Sequence, residues 1–154
     1  MIAVVQRVRN TALTADGVPF SSISHGYLVL LGVLDGDDEN DARLLASKIV
    51  KLRICSDENG KMNLSLSDVS GELMIVSNFT LGAEYKHGNR PDFFRAASPE
   101  IAKRIYESFI SFCRESGLRV ECGLFGADMQ ISTTADGPVT IVMDSSVLRK
   151  EPRP

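Results

Sequence analysis

The 154-residue sequence contains only two histidines and only three cysteines, and each scarcity narrows the functions open to it. Three cysteines without a C-x-x-C pair favour reduced thiols over a disulfide framework or a zinc site. His25 and His87 are not close in sequence, and they offer little material for a Ser-His-Asp system or a histidine metal site. Nucleotide-binding glycine motifs are also missing. We therefore predict that the protein uses no metal and no cofactor.

Long apolar runs and an excess of positive charge are missing as well. No apolar run approaches the ~20 residues of a membrane span, and Arg7 and Arg9 follow the first apolar run, which reverses the order of a signal peptide. We therefore predict a cytoplasmic protein with no membrane partner. The formal net charge of −3 argues against bulk coating of nucleic acid, although a local basic patch remains compatible with it.

The composition is that of an ordinary globular domain. Apolar residues make up 44% and charged residues 24%, and the chain shows no linker, repeat or low-complexity tract. We predict one domain over residues 1–154, with about 146–154 as a C-terminal tail.

Strand signals come in runs, separated by two helical patterns. Asp38 or Asn40 is expected to cap a first helix that ends near Leu52, and Ser98 to cap a second that ends near Ser116. Strands are predicted at residues 2–8, 11–15, 18–24, 27–34, 53–56, 72–77, 118–123, 128–133 and 138–144. This order predicts an α+β fold with a largely antiparallel, curled or barrel-like sheet and two helices on one side.

Three segments combine polar groups or glycines with strand ends. Ser77–Leu81 follows an apolar strand, and its backbone N–H groups could form an oxyanion hole; a capped turn is the simpler interpretation. The stretch 123–129 has two glycines around Phe125, which favours either close approach of a ligand or a hairpin with a buried ring. The stretch 135–140 contains Gly137-Pro138, and alone it indicates only a turn.

Taken together, these segments resemble the D-aminoacyl-tRNA deacylase family over nearly the whole chain. The matching stretches are VVQRV, GYLVLLGV, KMNLSLSDVSGEL, VSNFTL, GNRPDF, FGADMQIS and DGPVTIVMDS, in one order. The family motif Ser-Gln-x-Thr-Leu corresponds to Ser77–Leu81, with Asn78 in place of glutamine. The motif Asn-x-Gly-Pro-Val-Thr corresponds to residues 135–140, with Ala135 in place of asparagine.

The resemblance implies a homodimeric hydrolase that proofreads translation. Its substrate would be the ester between a D-amino acid, or glycine, and the 3′-terminal adenosine of tRNA. A Gly-Pro loop with a cis peptide would reach into the partner's pocket and reject L-amino acids by steric collision. The resemblance assigns the pocket to Ser77, Asn78, Phe79 and Thr80, the adenosine site to Phe125 and Met129, and the cross-subunit loop to Ala135, Gly137 and Pro138, with Arg7 holding that loop.

Two alternatives remain at this point. The chain could be a non-catalytic module that binds aminoacyl-tRNA or another nucleic acid, or an ester hydrolase with the Thr80 hydroxyl as nucleophile, although no base for that hydroxyl is evident. Where tRNA is the ligand, either of two basic groups could meet its phosphates, and a solvated, solubilising surface is the simpler interpretation of both. The first is the loop with Lys86, Arg90 and Arg95, and the second is the C-terminal set of Arg149, Lys150 and Arg153.

Overall fold

Strand β1 (Ile2–Ala15) organises the main sheet, because it pairs with three other strands. The structure, a computed structural model, describes residues 1–149. The other strands are β2 (Val18–Ile23), β3 (Gly26–Gly32), β4 (Cys55–Ser56), β5 (Met62–Leu64), β6 (Glu72–Ser77), β7 (Val120–Cys122) and β8 (Met129–Asp144). The helices are α1 (Glu39–Val50) and α2 (Pro99–Arg114), with short 3-10 helices at Phe79–Gly82 and Ser145–Leu148.

The main sheet has the order β2-β1-β3-β6-β7, and β8 pairs with β1. The pairings of β1 with β2, β3 and β8 are antiparallel, whereas β3–β6 and β6–β7 are parallel. Helices α1 and α2 lie in the connections between these parallel strands, as parallel pairing requires. The sheet curls into a nearly closed barrel, and the predicted α+β architecture is confirmed.

Two apolar clusters bury the two faces of the central strands. On one face, Val29 and Ile75 pack with Leu45 of α1 and Phe109 of α2, all of them fully buried. On the other face, Leu28 packs with Met74 in a second cluster inside the curl. The expectation that the strand near 27–34 is covered on both faces is therefore confirmed, because successive side chains of a strand point to opposite faces.

Several element boundaries differ from the sequence predictions. β1 and β8 are single long strands where two short strands were predicted in each case. They pair over almost their whole length, and the predicted break in β8 is a bulge: Val8 pairs with Ala135 and Gln6 pairs with Thr140, so Arg7 faces the stretch 136–139. The turn residues of that stretch bend the strand without ending it.

The two helices differ in how their N-termini are capped. Asp38 caps α1 in a reciprocal capping box with Asp41, which decides between the two predicted cap residues. Ser98 precedes Pro99 at the start of α2, as predicted, but its side chain makes no capping hydrogen bond. The prediction that the Ser98 side chain caps this helix is therefore wrong. The tight turn at Asp16-Gly17 is confirmed, with both residues at positive φ between β1 and β2.

The first residues of the predicted C-terminal tail belong to the folded domain. After β8 the chain forms the 3-10 helix Ser145–Leu148, and Arg149 then binds both carboxylate oxygens of Asp41 at 2.7 Å. Burial by itself raises the pKa of Asp41, but hydrogen bonds from Arg149, Asp38 and Ser145 outweigh it and lower the pKa to about 2. Arg149 thus ties the end of the chain to the start of α1.

Candidate active site

The largest cavity relevant to the sequence motifs opens at the carboxyl end of β6. It has a volume of about 770 Å³, within the range of small-ligand sites. Ser77, Asn78 and Phe79 form one side, and Phe125 and Met129 form another. The remaining lining residues are Val33, Phe93, Phe94, Ala96, Ala97, Ser98, Pro99, Ala102, Gly126 and Ala127. The cavity therefore brings together two of the three segments singled out from the sequence.

A sharp change of backbone direction after β6 exposes amide groups at this cavity. The N–H of Asn78 still donates to the Leu31 carbonyl of β3 at 2.8 Å, and the 3-10 helix begins at the next residue. The first N–H groups of a helix lack an acceptor within it. Within residues 1–149, the N–H groups of Phe79 and Thr80 have no hydrogen-bond partner. In this part of the chain two adjacent amide donors are thus free to bind an oxygen atom: that of Phe79, which lines the cavity, and that of Thr80, which follows it in the chain but is not among the lining residues.

The Thr80 hydroxyl is engaged with a neighbour that does not take up protons. It donates to the side-chain oxygen of Asn78 at 2.5 Å. His25 is at the far end of β3, next to Val69, with its ring nitrogen 2.7 Å from the Val69 carbonyl. His87 is on the exposed loop after the 3-10 helix and is not among the cavity residues. Among residues 1–149, no histidine or carboxylate side chain lines the cavity to act as a general base, which disfavours Thr80 as a nucleophile.

Aromatic rings form much of the cavity wall. Phe79 is 57% exposed and meets Phe93 edge-to-face with ring centroids 5.2 Å apart, and Phe94 is 90% exposed. Phe125 contacts Tyr106, whose hydroxyl donates to the Ile75 carbonyl at 2.9 Å. Burial raises the pKa of Tyr106, so this ring stays neutral and acts as a support. Sequence reasoning missed Phe93 and Phe94, although two adjacent phenylalanines in a polar loop were an available signal.

The third segment, around Gly137-Pro138, lies elsewhere on the molecule. The peptide between these two residues is cis, and both residues are exposed. Arg7 contacts Asp136, the residue before Gly137, in two ways. Its Nε is 3.1 Å from the Asp136 carboxylate and donates to the Asp136 carbonyl at 3.3 Å. Its Nη1 also donates to the Ile54 carbonyl at 2.7 Å. Arg7 and Asp136 thus fix the base of the loop; Asp136 was missed because Asp-Gly indicates a turn.

Within one chain this loop and the cavity are far apart. Paired residues of neighbouring strands form rows across the sheet. Thr140 pairs with Gln6 in one row, whereas Ser77 pairs with Leu31, which pairs with Ala3, in another. Three residues along a strand and three strand spacings across the sheet separate the two rows by roughly 15–20 Å. Ala135, also exposed, pairs with Val8 still farther along. A single chain therefore leaves Ala135, Gly137 and Pro138 away from Ser77–Thr80.

The basic loop next to the cavity has free cations. An antiparallel bridge between Glu84 and Asp92 closes it, and the following residues reach the cavity wall. Lys86, Arg90 and Arg95 are exposed, and within residues 1–149 none of them pairs with a carboxylate. Arg149, from the alternative basic group, is instead paired with Asp41 and Asp37, while Lys150 and Arg153 are outside the described residues.

Neither a metal site nor a membrane span is evident in the described part of the chain. Among residues 1–149, no group of three or more His, Cys, Asp or Glu side chains is placed to hold a metal ion. Within the same residues, no helix is both long and apolar enough to cross a bilayer.

Comparison with known proteins identifies the family. The sequence model of D-Tyr-tRNA(Tyr) deacylase matches residues 4–144. The D-aminoacyl-tRNA deacylase of Thermosipho africanus is 51% identical over 145 residues, covering 94% of this chain and 97% of that protein. The enzyme of the same name from Dictyoglomus turgidum is 45% identical over 153 residues, covering 99% and 98%. The chain belongs to the D-Tyr-tRNA(Tyr) deacylase family, which confirms the predicted class of ester hydrolase.

Solved structures agree on the fold. A protein described as c-Myc DNA unwinding element binding protein superposes with a TM-score of 0.87 at 39% identity, covering 94% of this chain and 98% of the other. A probable eukaryotic D-amino acid tRNA deacylase superposes with a TM-score of 0.81 at 17% identity, covering 92% and 97%. At that identity the second likeness concerns the fold alone.

Proposed function

We propose that this protein hydrolyses the ester between a D-amino acid and the 3′-terminal adenosine of tRNA, in the cavity at the end of β6. The observation that carries the proposal is the pair of N–H groups of Phe79 and Thr80, which have no partner among residues 1–149, beside an aromatic cavity of about 770 Å³. The cavity is large enough for an aminoacyl-adenosine, and its rings offer stacking surfaces for adenine.

In the proposed reaction these two N–H groups bind the carbonyl oxygen of the ester. A water molecule adds to the carbonyl carbon, and the negative charge that develops on the oxygen is stabilised by the two donors. Removing one such donor typically costs 10²–10³ in rate, which is about 3–4 kcal/mol. The bond between the carbonyl carbon and the 3′-oxygen of the ribose then breaks, and the 3′-oxygen takes up a proton.

The substrate itself supplies the missing acid–base group in this scheme. The 2′-hydroxyl of the terminal ribose is adjacent to the ester and can orient the water and relay its proton. The engagement of the Thr80 hydroxyl with Asn78 supports this scheme over a threonine nucleophile. The shorter Asn78, where the family motif has glutamine, still provides the amide oxygen for that contact.

Selection against L-amino acids is proposed to come from a second copy of the chain. The exposed Gly137-Pro138 loop is too far from the cavity of its own chain, which supports the proposal that it acts at the cavity of a partner. On the helix-free face of the sheet, Val142, Val4 and Leu30 share one row, and Val142 is 71% exposed. Such an apolar row favours burial against a second copy. The carbonyl groups of the loop would collide with an L side chain and leave room for a D side chain or for glycine.

One further observation favours a second candidate function. The solved structure at 39% identity is described as a protein that binds a DNA element. This description favours a non-hydrolytic nucleic-acid-binding module as the second candidate for this chain. Both candidates involve a nucleic acid partner, and the exposed Lys86, Arg90 and Arg95 would contact its phosphates in either case.

A paired assay distinguishes these functions. Purified protein is incubated with D-Tyr-tRNA, L-Tyr-tRNA and Gly-tRNA, and the remaining ester is measured over time. Hydrolysis of the D and glycyl substrates, with the L substrate intact, is expected. Binding without hydrolysis would instead establish the non-catalytic module, and equal loss of both stereoisomers would contradict the steric selection.

The variant Thr80→Ala tests the mechanism in the same assay. The substrate-assisted scheme uses the backbone N–H of residue 80, which alanine retains, so we expect activity within about tenfold of the unsubstituted protein. A nucleophilic hydroxyl predicts complete loss of activity, and sedimentation of the variant would check that its assembly is unchanged.

A further inference from the structure

A second cavity continues from the candidate active site along helix α2. It has a volume of about 380 Å³ and shares Phe125 with the larger cavity. Ala102 of α2 lines the larger cavity, and Arg114 lines the far end of the smaller one. At 1.5 Å per residue these two positions are about 18 Å apart, several times the ~3.4 Å separation of stacked bases. The two cavities thus lie side by side along the helix, with Phe125 between them.

The walls of the smaller cavity, which we call the α2 groove, suit single-stranded nucleic acid. Its lining combines the partly exposed apolar side chains Phe20 and Leu124, at 50% and 43%, with the cationic groups of Lys103 and Arg114. Apolar and aromatic surfaces for bases together with cations for phosphates are the usual elements of single-strand binding. Glu107 also lines the groove, 3.9 Å from Lys103, and weakens its attraction for an anion.

We propose that the α2 groove binds the single-stranded nucleotides that precede the 3′-terminal adenosine of tRNA. This inference rests on the proposed function, because it requires the terminal adenosine to occupy the larger cavity. The strand leaving that adenosine would pass Phe125 and enter the groove, where Lys103 and Arg114 would contact its phosphates. The groove would add affinity for the nucleic acid without touching the ester.

The two cations can be tested against a matched control on the same helix. Lys103→Ala and Arg114→Ala remove groove cations, whereas Arg104→Ala removes an exposed cation that does not line the groove. Each variant is assayed with D-Tyr-tRNA and with D-Tyr-adenosine, which lacks all preceding nucleotides. We expect kcat/KM on the tRNA to fall about fivefold for each groove variant and not for the control, with D-Tyr-adenosine cleaved at the unsubstituted rate by all three.

Salt dependence gives a second readout of the same contacts. A plot of log(kcat/KM) against log salt concentration has a negative slope, and each lost phosphate contact to a single strand is expected to make that slope shallower by about 0.7. Glu107→Gln should act in the opposite direction, because it removes a negative charge from the groove, and should raise kcat/KM on the tRNA about twofold.

Three results would overturn the proposal. Groove variants that match Arg104→Ala on tRNA would show that the groove does not contact the strand. Equal losses on tRNA and D-Tyr-adenosine would show an effect on the main cavity instead. A change in sedimentation with the loss of activity would assign the groove to contact between subunits. If the unsubstituted protein cleaves neither substrate, the proposed function fails as well, and this outcome is distinct from the other three.

Discussion

Replacing Asp136 by asparagine is expected to weaken stereochemical selection while leaving hydrolysis of D substrates largely intact. The Asp136 carboxylate is 3.1 Å from Nε of Arg7 and 3.3 Å from Nε of Arg9. The substituted side chain would keep the shape of the original and lose its charge. The base of the Gly137-Pro138 loop would then be held to Arg7 mainly through the backbone carbonyl of residue 136.

The magnitude follows from the burial of the ion pair. The side chains of Arg7 and Asp136 are 13% and 31% exposed, which is intermediate between surface pairs, worth about 0–1 kcal/mol, and buried pairs, whose disruption costs about 3–5 kcal/mol. A loss of about 1–2 kcal/mol would lower the population of the correctly held loop by about five- to thirtyfold. Because the loop acts by collision, the ratio of kcat/KM for D-Tyr-tRNA over L-Tyr-tRNA should fall by up to the same factor.

The assay measures kcat/KM on both stereoisomers for Asp136→Asn and for Arg9→Ala. Arg9 is 73% exposed, so its removal leaves the Arg7 contact intact and should change the ratio less than twofold. An unchanged D/L ratio for Asp136→Asn, or equal losses on both substrates, would refute the reasoning that this ion pair positions the loop.

Two other predictions concern the ion pair of Arg149 with Asp41 and the basic loop with Lys86 and Arg90. Arg149→Met should lower the free energy of unfolding at pH 7 by up to about 2 kcal/mol, because one pKa unit is worth about 1.36 kcal/mol and the pKa of buried Asp41 is lowered from 3.8 to about 2. That stability is present above about pH 4 and is lost as the pH falls towards 2, so the variant should show a flatter pH dependence in this window by urea denaturation; the same curve for both proteins would contradict the prediction. The double variant Lys86→Ala with Arg90→Ala should raise KM for D-Tyr-tRNA and make its salt dependence shallower without changing kcat, whereas an unchanged KM would remove this loop from the tRNA interface.

Local sequence patterns were enough for the elements that local chemistry determines. The Asp16-Gly17 turn requires positive φ at both residues, and Asp38 precedes a helical pattern that it can cap, so each could be read from a few neighbouring residues. The two family motifs were also readable, because their residue types stand at fixed spacing in the chain. The position of Ser77, Asn78 and Phe79 at the cavity follows from a strand end, which is again a local property.

The relations between distant segments could not be read in this way. Whether β8 is one strand or two depends on its register with β1, more than 110 residues earlier, and the bulge opposite Arg7 satisfies that register. The contact of Arg149 with Asp41 and the position of Phe93 and Phe94 at the cavity arise only when strands and helices pack. Helical and strand periodicity specify which face is buried, but not which surface will meet it.

The sequence by itself therefore determined the family, the order of elements and the residues of both motifs. Only the tertiary structure decided that Gly137-Pro138 and Ser77–Thr80 lie roughly 15–20 Å apart in one chain, because strand pairing sets that distance. It also decided that, within the described residues, the amide groups of Phe79 and Thr80 are left unpaired, since the pairing of an amide depends on every neighbour that packing brings near.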